Sequence, residues 1–331
     1  MVKYNKYNGE CGVMKKELVD YFNSIGKLGL NKNGGVLMED RLDIRELHRC
    51  KKGINRFNFF NYLIGDNLMV VKTEFQDDWS NENIMEVISG DYFNSVGVPS
   101  VKAYPVKIIQ TDPSTKKKEM YPSIATHNLY NLDGVYIGLA SDILYDYRLN
   151  DRRKKEETWE ILTQKEFKSI FLEIMTEDCF NEWVNLFLAD TLGTYKDRHL
   201  CNYFFYKTKR FGKWEGVIAI DNERSKLAEI ARSKMSEDKK YNALIHNVGT
   251  AFSPLQCVVQ TSHEDNILEI NHLLDKGVFG ESQIKTIKNS LEYPYAENMK
   301  KTCDFYGINC DKMYELSSRL EEYNQDHLMV K

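Results

Sequence analysis

Residues 191–224, TLGTYKDRHLCNYFFYKTKRFGKWEGVIAIDNER, constrain the fold more than any other stretch of this chain. An apolar, helix-like run feeds a polar turn, Asp197-Arg198-His199, and Asn202 follows five positions after Asp197. Two segments of aromatic and aliphatic residues come next, 203–206 and 216–220, and the second runs into Asp221. Short apolar segments of this kind, parted by a polar turn that contains Gly212, read as a β-hairpin. The fold must therefore bring a helix into a charged loop and a hairpin out of it.

Charges placed in this way suit phosphoryl transfer. Moving a γ-phosphoryl group needs little covalent chemistry but much positioned charge. One carboxylate receives or orients the attacking hydroxyl, and Asp197 fits that role. An amide oxygen and a second carboxylate hold Mg²⁺, a role for Asn202 and Asp221. Magnesium prefers hard oxygen ligands and keeps several waters, so this small donor set is enough. The protein-kinase catalytic loop has the same Asp-to-Asn step, with its His and Arg before the Asp; here they follow it.

The order Asp-Arg-His-x-x-Asn, then a hairpin and an Asp, resembles the HipA-like serine/threonine kinases and, more remotely, the phosphoinositide 3- and 4-kinases. The resemblance implies an α+β, bilobal protein-kinase-like fold with a small antiparallel sheet lobe and a larger helical lobe. It also implies ATP and Mg²⁺ as cofactors and a protein serine or threonine as acceptor, the chain itself among the candidates. Asp197, Arg198 and His199 would be catalytic, with Arg198 or His199 orienting the loop or touching a phosphate. The pattern departs from the protein kinases at Asn222-Glu223, where those have Phe-Gly, and in lacking an identifiable glycine-rich phosphate loop. Two other readings stay open, a lipid or small-molecule kinase of the same fold and a nucleotide-binding pseudokinase that acts as an interaction module.

The first 130 residues supply the expected nucleotide-binding lobe, leaving 131–331 for the catalytic one. Segments 57–64 and 68–75 flank Gly65-Asp66-Asn67 and read as a hairpin. Within the second, Lys72 interrupts an apolar run, and a half-buried ammonium is costly unless it meets an anion. Kinases keep their phosphate-binding lysine on such a strand, and the HipA-like resemblance places it at Lys72; an edge-strand lysine would instead point to water. A helix over 82–93 or 82–94 follows, capped by Ser80 or Asn81, with Ile84, Val87, Ile88, Tyr92 and Phe93 as its apolar stripe. It would carry a glutamate to Lys72. Glu82 is the first choice, because Asn81-Glu82 matches an Asn-Glu pair of HipA-like sequences, and Glu86, one turn on, is the second. Strands over 101–110 and 120–126 complete a sheet of about five strands, with the interlobe hinge at 128–138. Gly26, Gly29, Gly34 and Gly35 punctuate the start of the chain, where Asn33-Gly34 is a hairpin-turn signal.

Beyond the hinge the pattern is mostly helical. Thr163 and Glu166 form a capping box, 180–192 a long apolar helix, and 226–331 a helical scaffold. His246, His263 and His272 lack metal-ligand spacing and read as packing or surface residues. Seven cysteines without a Cys-x-x-Cys pair read as free thiols of a reducing compartment. A net charge of −4 excludes broad electrostatic binding to nucleic acid. No run reaches the length of a membrane span, and the polar start lacks a signal-peptide core, so the cytoplasm is the expected location, with release by a signal-less route left open. Ser24, Ser80 and Ser89 are the autophosphorylation candidates.

Overall fold

Among the described residues ahead of residue 130, five strands form one sheet with a helix packed against it. β1 (Gly35–Leu37), β2 (Asn58–Ile64) and β3 (Asn67–Thr73) precede helix α1 (Asn81–Ser95), and β4 (Ala103–Thr111) and β5 (Lys118–His127) follow it. The computed structural model describes residues 35–37, 58–64, 67–73, 81–111, 115–127, 129, 132, 134–146, 159–196, 198–220, 222, 225–246, 248–249, 261–306 and 308–330. The strand order is β1-β4-β5-β3-β2. Three of its four pairings are antiparallel, β2 with β3, β3 with β5 and β4 with β5. The expected antiparallel sheet is mixed at one edge, where β1 runs parallel to β4. Parallel neighbours need a long crossover, which leaves no local turn signature; the Asn33-Gly34 turn itself lies outside the described residues.

β3 is an interior strand, with Phe59 opposite Lys72 on one side and Ile124 on the other. That removes the edge-strand reading of the lysine. Val87 of α1 packs on Ala103 and Ile124, so the helix lies against the sheet.

The larger, helical part begins inside the stretch read as a hinge. β6 (Tyr136–Leu139) leads into a short helix, α2 (Ala140–Ile143). A 3₁₀ turn (Trp159–Thr163), α3 (Lys165–Phe171), α4 (Glu177–Leu192), β7 (Tyr203–Lys207) and β8 (Gly216–Ala219) come next. β6, β7 and β8 form a three-stranded antiparallel sheet. The Thr163–Glu166 capping box does not form. Thr163 ends the 3₁₀ turn with its hydroxyl donating to the Glu160 carbonyl at 2.7 Å, and Gln164 is the cap residue of α3. The helix starts one residue later than the box requires, so Thr163 lies ahead of the cap position and the helix start has no side-chain cap.

α4 is buried on nearly every side, as its apolar composition requires. The Thr176 hydroxyl accepts from the Cys179 N–H, and Glu177 and Asp178 sit in the first turn, where the helix dipole favours carboxylates. The scaffold beyond comprises α5 (Lys226–Arg232), α6 (Glu237–His246), the β9 (Val248–Gly249) and β10 (Thr261–Ser262) pair, α7 (His263–Asp275), α8 (Glu281–Glu292), α9 (Tyr295–Tyr306) and α10 (Asp311–His327). α8 fastens onto α4 through Asn185 Nδ2 donating to Ser282 Oγ at 2.7 Å. Among the described residues no helix is long and apolar enough to cross a membrane.

Two histidines are buried in this framework, His127 at the end of β5 and His263 at the start of α7. His263 Nε2 lies 2.7 Å from Asn324 Oδ1, an acceptor only, so that nitrogen carries the proton. Burial pushes both rings down to about 4 from an ordinary value near 6.5, with the nearby Lys226 adding to the shift at His263. The folded state therefore keeps both neutral while the unfolded chain protonates them. Their full contribution to stability is present above pH 6.5 and is lost as pH falls toward 4, on the order of 3 kcal/mol each. Urea unfolding measured across that window should show the decline, and His263→Gln should flatten it.

Candidate active site

The helix-to-loop passage is built by Gly193 and Thr194. A Cβ on Gly193 would stand 2.7 Å from the Tyr195 ring and 3.0 Å from that of Tyr92, so only glycine lets the two aromatics close on this corner. Thr194 takes a left-handed conformation, φ +58°, which turns the chain out of α4. The Lys226 N–H donates to its carbonyl at 2.9 Å, tying the loop to the segment beyond Asp221.

Arg198 is the centre of the loop, buried with 7% of its surface exposed. Its Nε and Nη2 donate to the two oxygens of Asp190, each at 2.9 Å. Nη1 donates to the carbonyls of Asn202, at 2.6 Å, and Ile220, at 2.9 Å. Nη2 also donates to the Asn222 side-chain oxygen. All five guanidinium N–H groups thus have partners, the condition under which a buried ion pair compensates its desolvation. Burial pushes the Asp190 carboxyl up and Arg198 opposes the shift. Phe93 of α1 lies against the guanidinium, 5.4 Å from Cζ to the ring centroid.

These bonds grip both sides of the loop. Asn202 is buried, its N–H donates to the His199 carbonyl at 2.8 Å, and its own carbonyl also accepts from the Ile220 N–H at 3.2 Å. β7 and β8 pair Tyr203 with Ala219, so Asn202 and Ile220 face each other at the open end of the hairpin. Asn222 continues the network, its amide donating to Ser100 Oγ at 3.0 Å. Ser100 is in turn held by Asn94, whose Oδ1 accepts from the Ser100 N–H and whose Nδ2 donates to the Ser100 carbonyl. His199 accepts from the Cys201 N–H at Nδ1, 3.1 Å away.

On the sheet side, Lys72 is 8% exposed and its ammonium lies 3.2 Å from Glu86 Oε2. The second of the two expected glutamates, Glu86, thus faces β3 from the buried side of α1 and pairs with the lysine. The side chain of Glu82, the first choice, lies outside the described residues. Ser89 drops out as an accessible phosphoacceptor, since it is fully buried and donates to the Glu86 carbonyl at 2.9 Å. Ser24 and Ser80 lie outside the described residues.

Asp197 and Asp221 also lie outside them. Among the described residues no cluster of three or more His, Cys, Asp or Glu side chains could hold a metal ion. The donor chemistry of Asn202 and Asp221, both hard oxygens, fits Mg²⁺. One further expectation is corrected. Cys201 is disulfide-bonded, to a partner outside the described residues, while Cys179, Cys303 and Cys310 are free thiols. Pairing between distant cysteines leaves no spacing signature.

Sequence reasoning missed Asp190, Asn222, Ser100 and Asn94. The signal for Asp190 was present, a carboxylate inside the apolar run of α4 that needs a counter-charge as Lys72 does. The others are polar residues in unremarkable contexts.

Among solved structures, the Helicobacter pylori proinflammatory kinase CtkA superposes with a TM-score of 0.54 over 85% of this chain and 92% of its own, at 14% identity. The fold is protein-kinase-like. WaaP in complex with acyl carrier protein also aligns, with a TM-score of 0.30 and 11% identity over 84% of this chain and 88% of its own. No model of a known protein family and no curated protein sequence matches the chain.

Replacing Arg198 by Met leaves Asp190 buried without its counter-charge and should cost about 3–5 kcal/mol in urea unfolding. Adding Asp190→Asn to that variant should recover part of the loss. Strict additivity of the two substitutions would show that the pair does not act as a unit.

Proposed function

We propose that this protein is an ATP- and Mg²⁺-dependent kinase that phosphorylates protein serine or threonine, with its own chain as one acceptor. The observation that carries the reading is the buried Lys72–Glu86 pair on β3 and α1 of a protein-kinase-like fold. A buried ammonium on an interior strand, oriented by a carboxylate from the following helix, is the arrangement by which kinases direct a lysine at the α- and β-phosphates.

Asp197 positions the acceptor hydroxyl and takes its proton as the new P–O bond forms and the bond to ADP breaks. Asn202 and Asp221 hold Mg²⁺, which neutralises phosphate charge when bound. Arg198 reaches no reacting atom in this scheme. It is a positioning residue that fixes Asn202 and the residues flanking Asp221 relative to one another. His199 accepts the Cys201 N–H at Nδ1, which fixes the ring in the loop and places the neutral ring's proton on Nε2.

The experiment is intact mass after incubation with ATP and Mg²⁺. Wild type should gain one or more phosphates, and Asp197→Asn should slow the gain by a factor of about 10² or more. Lys72→Met and Glu86→Gln should each slow it at least tenfold. A wild type that binds ATP with Mg²⁺ yet transfers nothing to any acceptor would be a pseudokinase. Radiolabel passing from ATP to lipid and not to protein would mark a lipid kinase.

A further inference from the structure

The hairpin that leaves the candidate active site ends in an unusual tip. Residues 207–214, KTKRFGKW, carry four cations and no carboxylate in a chain whose net charge is −4. At the apex, Phe211 is 93% exposed, the largest exposure among the large apolar side chains described. Lys209, Arg210 and Lys213 beside it are exposed as well.

The tip is built firmly. Gly212 N–H donates to the Lys209 carbonyl at 3.2 Å, and Lys207 Nζ donates to the Gly212 carbonyl at 3.1 Å while standing 4.4 Å from the Trp214 ring centroid. Lys213 Nζ bonds the Leu172 carbonyl behind α3. Lower down, Trp214 N–H donates to Ile174 and its carbonyl accepts from Thr176 N–H, so the hairpin is laced to the start of α4. The nearest carboxylate in sequence, Glu215, accepts the Thr208 hydroxyl at both oxygens. On the neighbouring strand, Tyr136 is half exposed and pairs with Lys207, extending the apolar and cationic face.

A rigid convex apex with one apolar ring among cations fits an anionic bilayer better than the alternatives. Single-stranded nucleic acid needs several aromatic faces along a groove, and here Lys207 covers the Trp214 ring. A protein partner needs a broader complementary surface than one phenyl ring. At a membrane interface, an apolar side chain enters the acyl boundary while lysines and arginines meet anionic headgroups, each contribution small and the sum reversible.

We propose that the β7–β8 tip docks the protein on an anionic lipid surface, with Phe211 inserted and Lys209 and Arg210 on the headgroups, while Lys207 and Lys213, bonded to carbonyls of the tip and of the α3 end, add positive charge beside them. β7 then holds the catalytic loop roughly 17 Å from the tip, the length of its five residues.

The test is flotation of the full chain with vesicles of phosphatidylcholine alone or mixed with phosphatidylserine. Binding should require phosphatidylserine and fall steeply as salt screens the headgroups. Phe211→Ala and the Lys209→Glu/Arg210→Glu pair should each weaken it by about tenfold or more, while Phe211→Trp retains it. These side chains are exposed, so far-UV circular dichroism and the melting temperature should not move. Equal binding to neutral vesicles, or tip variants that float like wild type, would overturn the proposal. So would tip-dependent binding to a single-stranded RNA homopolymer without binding to vesicles, which would assign the patch to nucleic acid.

Discussion

Everything that positions the candidate site passes through the Arg198 guanidinium. A carboxylate as deeply buried as Asp190 is tolerated only with an opposite charge and filled hydrogen bonds around it, and Arg198 supplies both in a planar fork. Lysine could not replace it, because three donors on a tetrahedral head cannot serve Asp190, two carbonyls and an amide together. The pair adds little net stability for its cost, and what it secures is geometry. One side chain fixes the backbone at Asn202 and at Ile220 and the side chain of Asn222, so both sides of the hairpin's open end are held by a single rigid group.

The same group reaches the sheet through α1. Phe93 lies on the guanidinium and, 5.0 Å away, on Tyr195 of the loop; the Tyr92 hydroxyl donates to the Ala189 carbonyl on α4. Tyr195 meets the Tyr295 hydroxyl at 2.6 Å, so the C-terminal scaffold backs the same aromatic cluster. α1 therefore has one end docked against the helical part while Glu86, nearer its start, faces Lys72. Gly90 permits the close passage of the chain after the helix, since a Cβ there would stand 2.7 Å from the Val101 carbonyl. The lysine's position thus depends on packing that lies far from the sheet in sequence.

This division explains what the sequence could reveal. Elements with a strong local period were legible. The helix expected over 82–94 is observed at Asn81–Ser95, the 180–192 helix at Glu177–Leu192, and both hairpins fall where aromatic runs flank glycine. The extra turn of α4 was hidden because Glu177 and Asp178 are polar, although they are what a helix start requires. Lys72 and Asn202 stood out by type and spacing. Glu86 was harder, because Glu82 and Glu86 are equivalent by helical period, and its ion pair with Lys72 follows from the register of α1 against β3. Asp190, Asn222, Ser100 and Asn94 act through tertiary contacts between segments up to 122 residues apart, which no local pattern encodes.

Asn222 shows how a departure from a family pattern can carry physical meaning. Protein kinases place a phenylalanine after the metal-binding aspartate, and an apolar ring can leave one pocket for another at modest cost. Here that position is a buried amide bonded to Arg198 on one side and Ser100 on the other. Withdrawing it would strip a partner from the buried guanidinium, at about 1–3 kcal/mol for the donor left unsatisfied, while the Ser100 hydroxyl would keep its bonds to the Val101 and Ala219 carbonyls. Asn222 is therefore tied into the network that holds Arg198 and Asn202, and displacing it requires breaking those bonds.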